Sequence, residues 1–150
     1  MGDDPQGLYV TPGIVEAMRE RLLPLADVAL PNRFEMAELS GAAITSEEEA
    51  LVAADSLGPP VVVLTSAPEP DAGYVKSLAI TAETTGSAQI KRRSSLPKGT
   101  GDAFSALYLG HYLDNRDPFD ALTQADQDLV NLISANEGNA NLDLTALLAS

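Results

Sequence analysis

Apolar and polar positions alternate along this chain in two rhythms, one helical and one extended. After Thr11 and Pro12, a capping residue and a proline at the first helical position, "GIVEAMRERLL" spaces Ile14, Met18 and Leu22 along one helical face. The same spacing assigns Met18, Leu22 and Leu25 to the core. "DVAL" (27–30) reads as a short buried strand, and Pro31 with Asn32 opens a helix, "RFEMAELSG", that Gly41 can end. Ser46 with Glu49 three residues later forms a capping box for "EEEALVAADSLG", where Glu47 to Glu49 suit the positive end of the helix dipole and Gly58 marks the stop.

"PPVVVLTS" is a continuous apolar run bounded by prolines and polar residues, the pattern of a strand covered on both faces. Beyond the turn-rich "APEPDAG", "YVKSLAITAE" (74–83) and "SAQIKRRSS" (87–95) read as two exposed strands of a hairpin or meander. "GTGDAFSALYLGHYL" then predicts a helix to about Leu113, Pro118 starts another to about Ala135, and "LDLTALLA" (142–149) adds a short one. The first ten residues, "MGDDPQGLYV", read as a loop. Strands alternating with helices imply an α/β fold, with a mostly parallel sheet flanked by helices on both faces. There is no internal repeat, low-complexity segment or interdomain linker.

Composition narrows the chemistry. At 150 residues, 45% hydrophobic and 21% charged, the chain fits one compact domain. A net charge of -13 opposes general attraction to nucleic acid or anionic membrane, so any anionic ligand needs a local basic exception. With no cysteine there is no disulfide, thiolate zinc site or cysteine nucleophile, and a metal must be bound by oxygen. No run reaches the roughly 18 apolar residues of a membrane span, and the first residues lack a signal-peptide pattern, so a cytoplasmic location is expected.

The basic exception is Lys91, Arg92, Arg93 and Lys98, four of the nine Lys and Arg residues, directly before "GTGD". Such a glycine-threonine-glycine turn opening a helix presents successive N–H groups and a positive dipole end, which suits phosphate. Asp102 in that position could simply cap the helix. Alternatively, a carboxylate beside a phosphate site could take the proton from a hydroxyl that attacks a phosphoryl group, which describes a kinase. Asn32 could likewise be only a cap, Glu35 a first-turn acid, and Thr65 with Ser66 an ordinary strand end. His111, the single histidine, reads as packing or surface, with no carboxylate or second histidine arranged for a metal.

These segments resemble known motifs in a fixed order. "GTGDAFSALYLGHYL" resembles the anion-hole motif and following helix of the ribokinase-like kinases, and "PLADVALPNRFEMAELSG" is similar to their strand and Pro-Asn-x-x-Glu motif, most of all in the pyridoxal kinases. "MGDDPQGLYV" resembles the continuation of an Asp-Pro-Val-Met/Leu-Gly-Asp segment, and "VVVLTS" a nucleotide-contacting strand end. The resemblance implies that Asp102 is the base for the pyridoxal 5'-hydroxyl and that Gly99, Thr100 and Gly101 form the anion hole. It also implies that Asn32, Thr65 and Ser66 meet the nucleotide, and that Glu35 and Asp3 lie by the metal. The implied cofactors are Mg²⁺ with ATP and a monovalent cation, potassium or sodium. Pyridoxal, pyridoxine or pyridoxamine are the implied substrates, and the implied assembly is a homodimer.

Three departures stand out: Leu30 where threonine is common, Lys98 at a usually apolar position, and a short stretch between Ser66 and Gly99. By the same resemblance, residues 1–150 form a single ribokinase-like domain that lacks the family's N-terminal half, with a long unpaired sheet edge and little kinase activity alone. Two alternatives remain: hydroxymethylpyrimidine kinase of the same superfamily, which commonly carries cysteine at the position of Asp102, and a non-catalytic nucleotide-binding remnant.

Overall fold

A computed structural model describes residues 1–68, 73–93 and 97–145, with the side chain of Pro12 left aside. The middle of "APEPDAG", the last two residues of "SAQIKRRSS" and the second half of "LDLTALLA" lie outside the described residues.

The main sheet has four strands in the order β3-β4-β5-β6, with β3 at Val28–Ala29, β4 at Val61–Ala67, β5 at Tyr74–Ile80 and β6 at Thr85–Lys91. The α/β layering follows the sequence pattern, but the sheet is mixed rather than mostly parallel. Only β3 and β4 run parallel, and the β4–β5 and β5–β6 pairs are antiparallel. The cause is connection length. Helices α2 (Arg33–Ser40) and α3 (Glu47–Leu57) carry the chain from β3 to β4, whereas the later links are too short for a crossover.

The strand β4 organises the core because its two faces enter different layers. Val62 and Leu64 pack with Leu78, Ile80, Met36 and Leu39 under α2 and α3. Val61 and Val63 face the other way, toward Phe104 and Tyr108 of α4 (Thr100–Asn115) and Leu122 and Leu129 of α5 (Pro118–Ala135). The second half of β5 is buried, contrary to the exposed strand expected, since Leu78 and Ala79 serve opposite faces of the sheet. On β6 exposure alternates, as befits an edge strand. The two edges of the sheet are the seven-residue β6 and, at the other side, β3, which is only two residues long.

Helix ends follow the capping rules. Asn32 and Ser46 form capping boxes with Glu35 and Glu49, and Gly41 closes α2 in the left-handed region at φ 74°. Asp117 accepts from the N–H groups of Phe119 and Asp120 to start α5. The first helix departs from its pattern. The segment α1 (Pro12–Ala17) passes into a π-turn over Met18–Leu22 and a 3₁₀ turn over Leu23–Leu25. A π-turn places residues five apart on one face, so Leu23 follows Met18 inward. Ile14, Leu22 (58% exposed) and Leu25 (82% exposed) turn out to solvent, and Val15 and Leu23 take the core positions. At the start of the chain, β1 (Gly2–Asp3) and β2 (Gly7–Leu8) pair antiparallel, where the sequence suggested only a loop. No helix among the described residues is long and apolar enough to cross a membrane.

Docking of α5 on the sheet depends on Gly86 in β6, because a Cβ there would lie 2.4 Å from the Phe119 ring. Gly86→Ala is expected to displace that ring and cost about 1–3 kcal/mol in denaturant unfolding, the range for an overpacked contact.

Candidate functional site

Two helix N-termini open onto one cleft of about 670 Å³. At the first, Gly99 precedes α4 with φ 92°, a conformation that strains any residue with a Cβ. No side chain among the described residues caps this helix, and the Thr100 hydroxyl donates to the Pro97 carbonyl instead (2.6 Å). The first-turn N–H groups therefore keep the positive field of an open helix end. Asp102 is the third helical residue, exposed and without a hydrogen bond or ion pair among the described residues. The capping role that a Gly-x-Gly-Asp sequence allows is thus not what this aspartate performs.

The second N-terminus, that of α2, is closed. The Asn32 Oδ1 accepts from the Glu35 N–H (2.8 Å), its Nδ2 donates to the Gly2 carbonyl (2.9 Å), and its backbone N–H donates to Glu35 Oε2 (3.0 Å). The Met1 ammonium donates to the other carboxylate oxygen of Glu35, at 2.7 Å. The Arg33 N–H donates to Ser66 Oγ (3.1 Å), and the Thr65 N–H donates to the Pro31 carbonyl (3.0 Å), which ties the end of β4 to the mouth of α2. These bonds hold Asn32, Glu35, Thr65 and Ser66 in place at the wall of the cleft.

Of the residues singled out from sequence, Asp3, Asn32, Glu35, Thr65, Ser66, Thr100, Gly101 and Asp102 all line this cleft. Gly99 stands just outside it and turns the chain into α4. The basic cluster does not converge: Arg92 lines the cleft, but Arg93 donates to Ser134 on α5 (2.8 Å), Lys91 is exposed on the edge strand, and the backbone of Lys98 pairs with Ala140 and Leu142. The cleft therefore carries Asp3, Asp4, Glu35, Asp102 and Asp126 against Arg92. A triphosphate entering such a site needs an accompanying cation to offset repulsion. No group of three metal-ligating side chains exists among the described residues. Asp3 and Glu35 stand as hard oxygen donors at the same wall, with both Glu35 oxygens already accepting hydrogen bonds from the Met1 ammonium and the Asn32 N–H.

Two features escaped the sequence reading. His111 Nε2 lies 2.8 Å from Asp128 Oδ2, joining α4 to α5, where no carboxylate partner was anticipated. Asp126 is 6% exposed, and its Oδ2 is buried without a hydrogen-bond partner. Burial pushes its carboxyl up to about 6. The signal was present in the pattern, because Asp126 sits between Leu122 and Leu129 on the inward stripe of α5, in a register that calls for an apolar residue.

The native Asp126 holds its proton to about pH 6, whereas the unfolded chain releases it near 3.8. Its cost to the fold is therefore smallest at low pH and grows as pH rises through that window. Asp126→Leu is expected to gain about 1–3 kcal/mol over wild type at pH 7. Little of that difference should remain at pH 4, as denaturant unfolding at the two pH values will show.

The sequence model of the phosphomethylpyrimidine kinase family matches residues 6–142. Pyridoxal kinase PdxY of Rubrobacter xylanophilus is 41% identical over 129 residues, covering 82% of this chain and 44% of its own length. The pyridoxine/pyridoxal/pyridoxamine kinase of Bordetella avium is 43% identical over 118 residues, covering 75% of this chain and 40% of its own. Among solved structures, the pyridoxal kinase of Leishmania donovani in complex with ADP and pyridoxamine superimposes with a TM-score of 0.83 at 33% identity, over 97% of this chain and 52% of that one. The chain spans about half the length of the curated relatives it matches.

Proposed function

The chain belongs to the phosphomethylpyrimidine kinase family, and on that premise we propose that it supplies the nucleotide and catalytic face for ATP-dependent phosphorylation of the 5'-hydroxyl of pyridoxal, pyridoxine or pyridoxamine. The observation that carries this is the open N-terminus of α4 beside an unpaired carboxylate at its third position, both on one cleft. Asp102 takes the hydroxyl proton as the alcohol oxygen bonds to the γ-phosphorus. The bond from that phosphorus to the β-phosphate oxygen breaks and ADP leaves. The N–H groups of Thr100 and Gly101 face the charge that develops on the transferred phosphoryl. Ser66, Thr65 and Asn32 hold the opposite wall, and Asp3 with Glu35 would hold Mg²⁺, which when bound neutralises phosphate charge. By family resemblance, homodimers, a cytoplasmic location and a requirement for potassium or sodium accompany this activity.

The name of the matched family favours a second reading, in which the alcohol belongs to a hydroxymethylpyrimidine. Calorimetry with MgATP on this chain, and a transfer assay with both alcohols on a full-length protein that carries it, separate the readings. Gly101→Asp is expected to abolish nucleotide binding without unfolding the chain, since a Cβ there meets no atom within 4 Å and the carboxylate places a second negative charge at the helix mouth. Asp102→Asn should keep nucleotide binding and lose about 10²- to 10⁴-fold in transfer to pyridoxal. Transfer to the pyrimidine alone would overturn the substrate. Nucleotide binding without transfer to either alcohol would make the chain a binding module, and transfer undiminished in Asp102→Asn would remove the base.

A further inference from the structure

The turn that opens α4 owes little of its shape to its own side chains. Gly99 and Gly101 carry none, and a Cβ at either would meet no atom within 4 Å, so no neighbour wedges them into place. Glycine backbone is the freest of any residue, and an anion site works best when its N–H groups are aimed before the anion arrives. The Thr100 hydroxyl ties the turn to the Pro97 carbonyl from within. From outside, both backbone groups of Lys98 are engaged. Its N–H donates to the Ala140 carbonyl (3.0 Å), and its carbonyl accepts from the Leu142 N–H (3.2 Å), which makes a parallel bridge between Lys98 and Asn141.

The clamp is the loop over residues 137–143, and one buried side chain closes it. Asn136, which follows α5, is 1% exposed. Its Nδ2 donates to the carbonyls of Leu132 (2.9 Å) and Asp143 (3.1 Å). Its Oδ1 accepts from the Asp143 N–H (2.6 Å) and from the Asn139 Nδ2 (3.2 Å). A cap for α5 requires only the bond to Leu132. The two bonds to Asp143 bracket that residue much as a neighbouring strand would, and they hold the loop end beside Leu142. With both donors and both acceptor sites in use, the carboxamide is buried without an unmet hydrogen bond. We propose that Asn136 is a positioning residue for the anion site: by closing the 137–143 loop it fixes Lys98, and through Lys98 the turn that aims the N–H groups of Thr100 and Gly101. This assignment rests on the nucleotide reading above and adds to it the part of the fold that holds the phosphate site in shape before nucleotide binds.

Asn136→Ala removes the carboxamide. Asn136→Ser is the gentler change, since its hydroxyl retains a donor for the Leu132 carbonyl four residues back but cannot bracket Asp143. Ser46→Ala is the control, a lost cap on α3 at a residue that lines no part of the cleft. For each variant of the full chain, NMR follows amide exchange and backbone resonances without ligand, and calorimetry gives the MgATP affinity. Both Asn136 variants are expected to exchange the Lys98 and Leu142 amides about ten-fold faster and to shift the Thr100 and Gly101 resonances. They should bind MgATP roughly ten-fold more weakly, the scale of one hydrogen bond to a charged group. Ser46→Ala should leave these readouts at their wild-type values. A MgATP affinity that survives in both Asn136 variants, a Lys98 amide that stays protected in both, or an equal loss of affinity in Ser46→Ala would overturn the positioning role and leave the nucleotide reading standing. Failure of wild type to bind MgATP would overturn both.

Discussion

An α-helix leaves its first N–H groups without partners inside the helix, and how the four longest helices meet that requirement divides this molecule into scaffold and site. In α2, α3 and α5 a side chain closes the end: Asn32, Ser46 and Asp117 accept from N–H groups of the first turn. In α4 the position belongs to Gly99, whose left-handed backbone makes the turn and whose missing side chain leaves the helix mouth open. The site chemistry argued above depends on that omission. Were a serine or aspartate to cap α4, the field at the cleft would be spent inside the protein and Asp102 would face a neutralised helix end.

The scaffold exists to hold this open end against the closed one. Because Val62 and Leu64 belong to one core layer and Val61 and Val63 to the other, β4 fixes the α2–α3 layer and the α4–α5 layer relative to a single strand. The end of β4 then meets the mouth of α2 through Ser66 and Thr65, which sets the near wall of the cleft. The far wall follows from α5, whose inward stripe seats Phe119 on Gly86 and Leu129 beside the cleft. An excess of carboxylates in the cleft means that a nucleotide bound there would need an accompanying cation.

Much of this was legible in the residue pattern, and the parts that were not have physical causes. Capping residues are local, so the limits of α2, α3 and α5 and the turn at Gly41 could be read from a few neighbouring side chains. The two-sided burial of β4 followed from an unbroken apolar run. The direction of the strands did not, because the short β4–β5 and β5–β6 links only become decisive once their lengths are weighed against a crossover. A π-turn rephased the first helix by one residue, which no helical template anticipates, and moved the core from Leu22 to Leu23. At the site, the motif residues came together as their order suggested, with Gly99 just behind them. The basic cluster dispersed because β6 points successive side chains to opposite faces and the chain then turns away toward α5. Asp126 was legible but passed over, one acidic residue among several on α5 although it falls on the inward stripe between Leu122 and Leu129.

The most direct measurement of whether the mouth of α4 receives phosphate is the set of backbone amide resonances of the isotope-labelled chain during titration with MgADP. The largest shifts are expected at Thr100, Gly101 and Asp102, with smaller ones at Ser66 and none at the capped start of α3. Shifts concentrated instead in the separate groove between Gly58–Pro60 and Thr81–Thr85, or an unchanged spectrum at saturating nucleotide, would contradict the assignment of this helix end as the anion site.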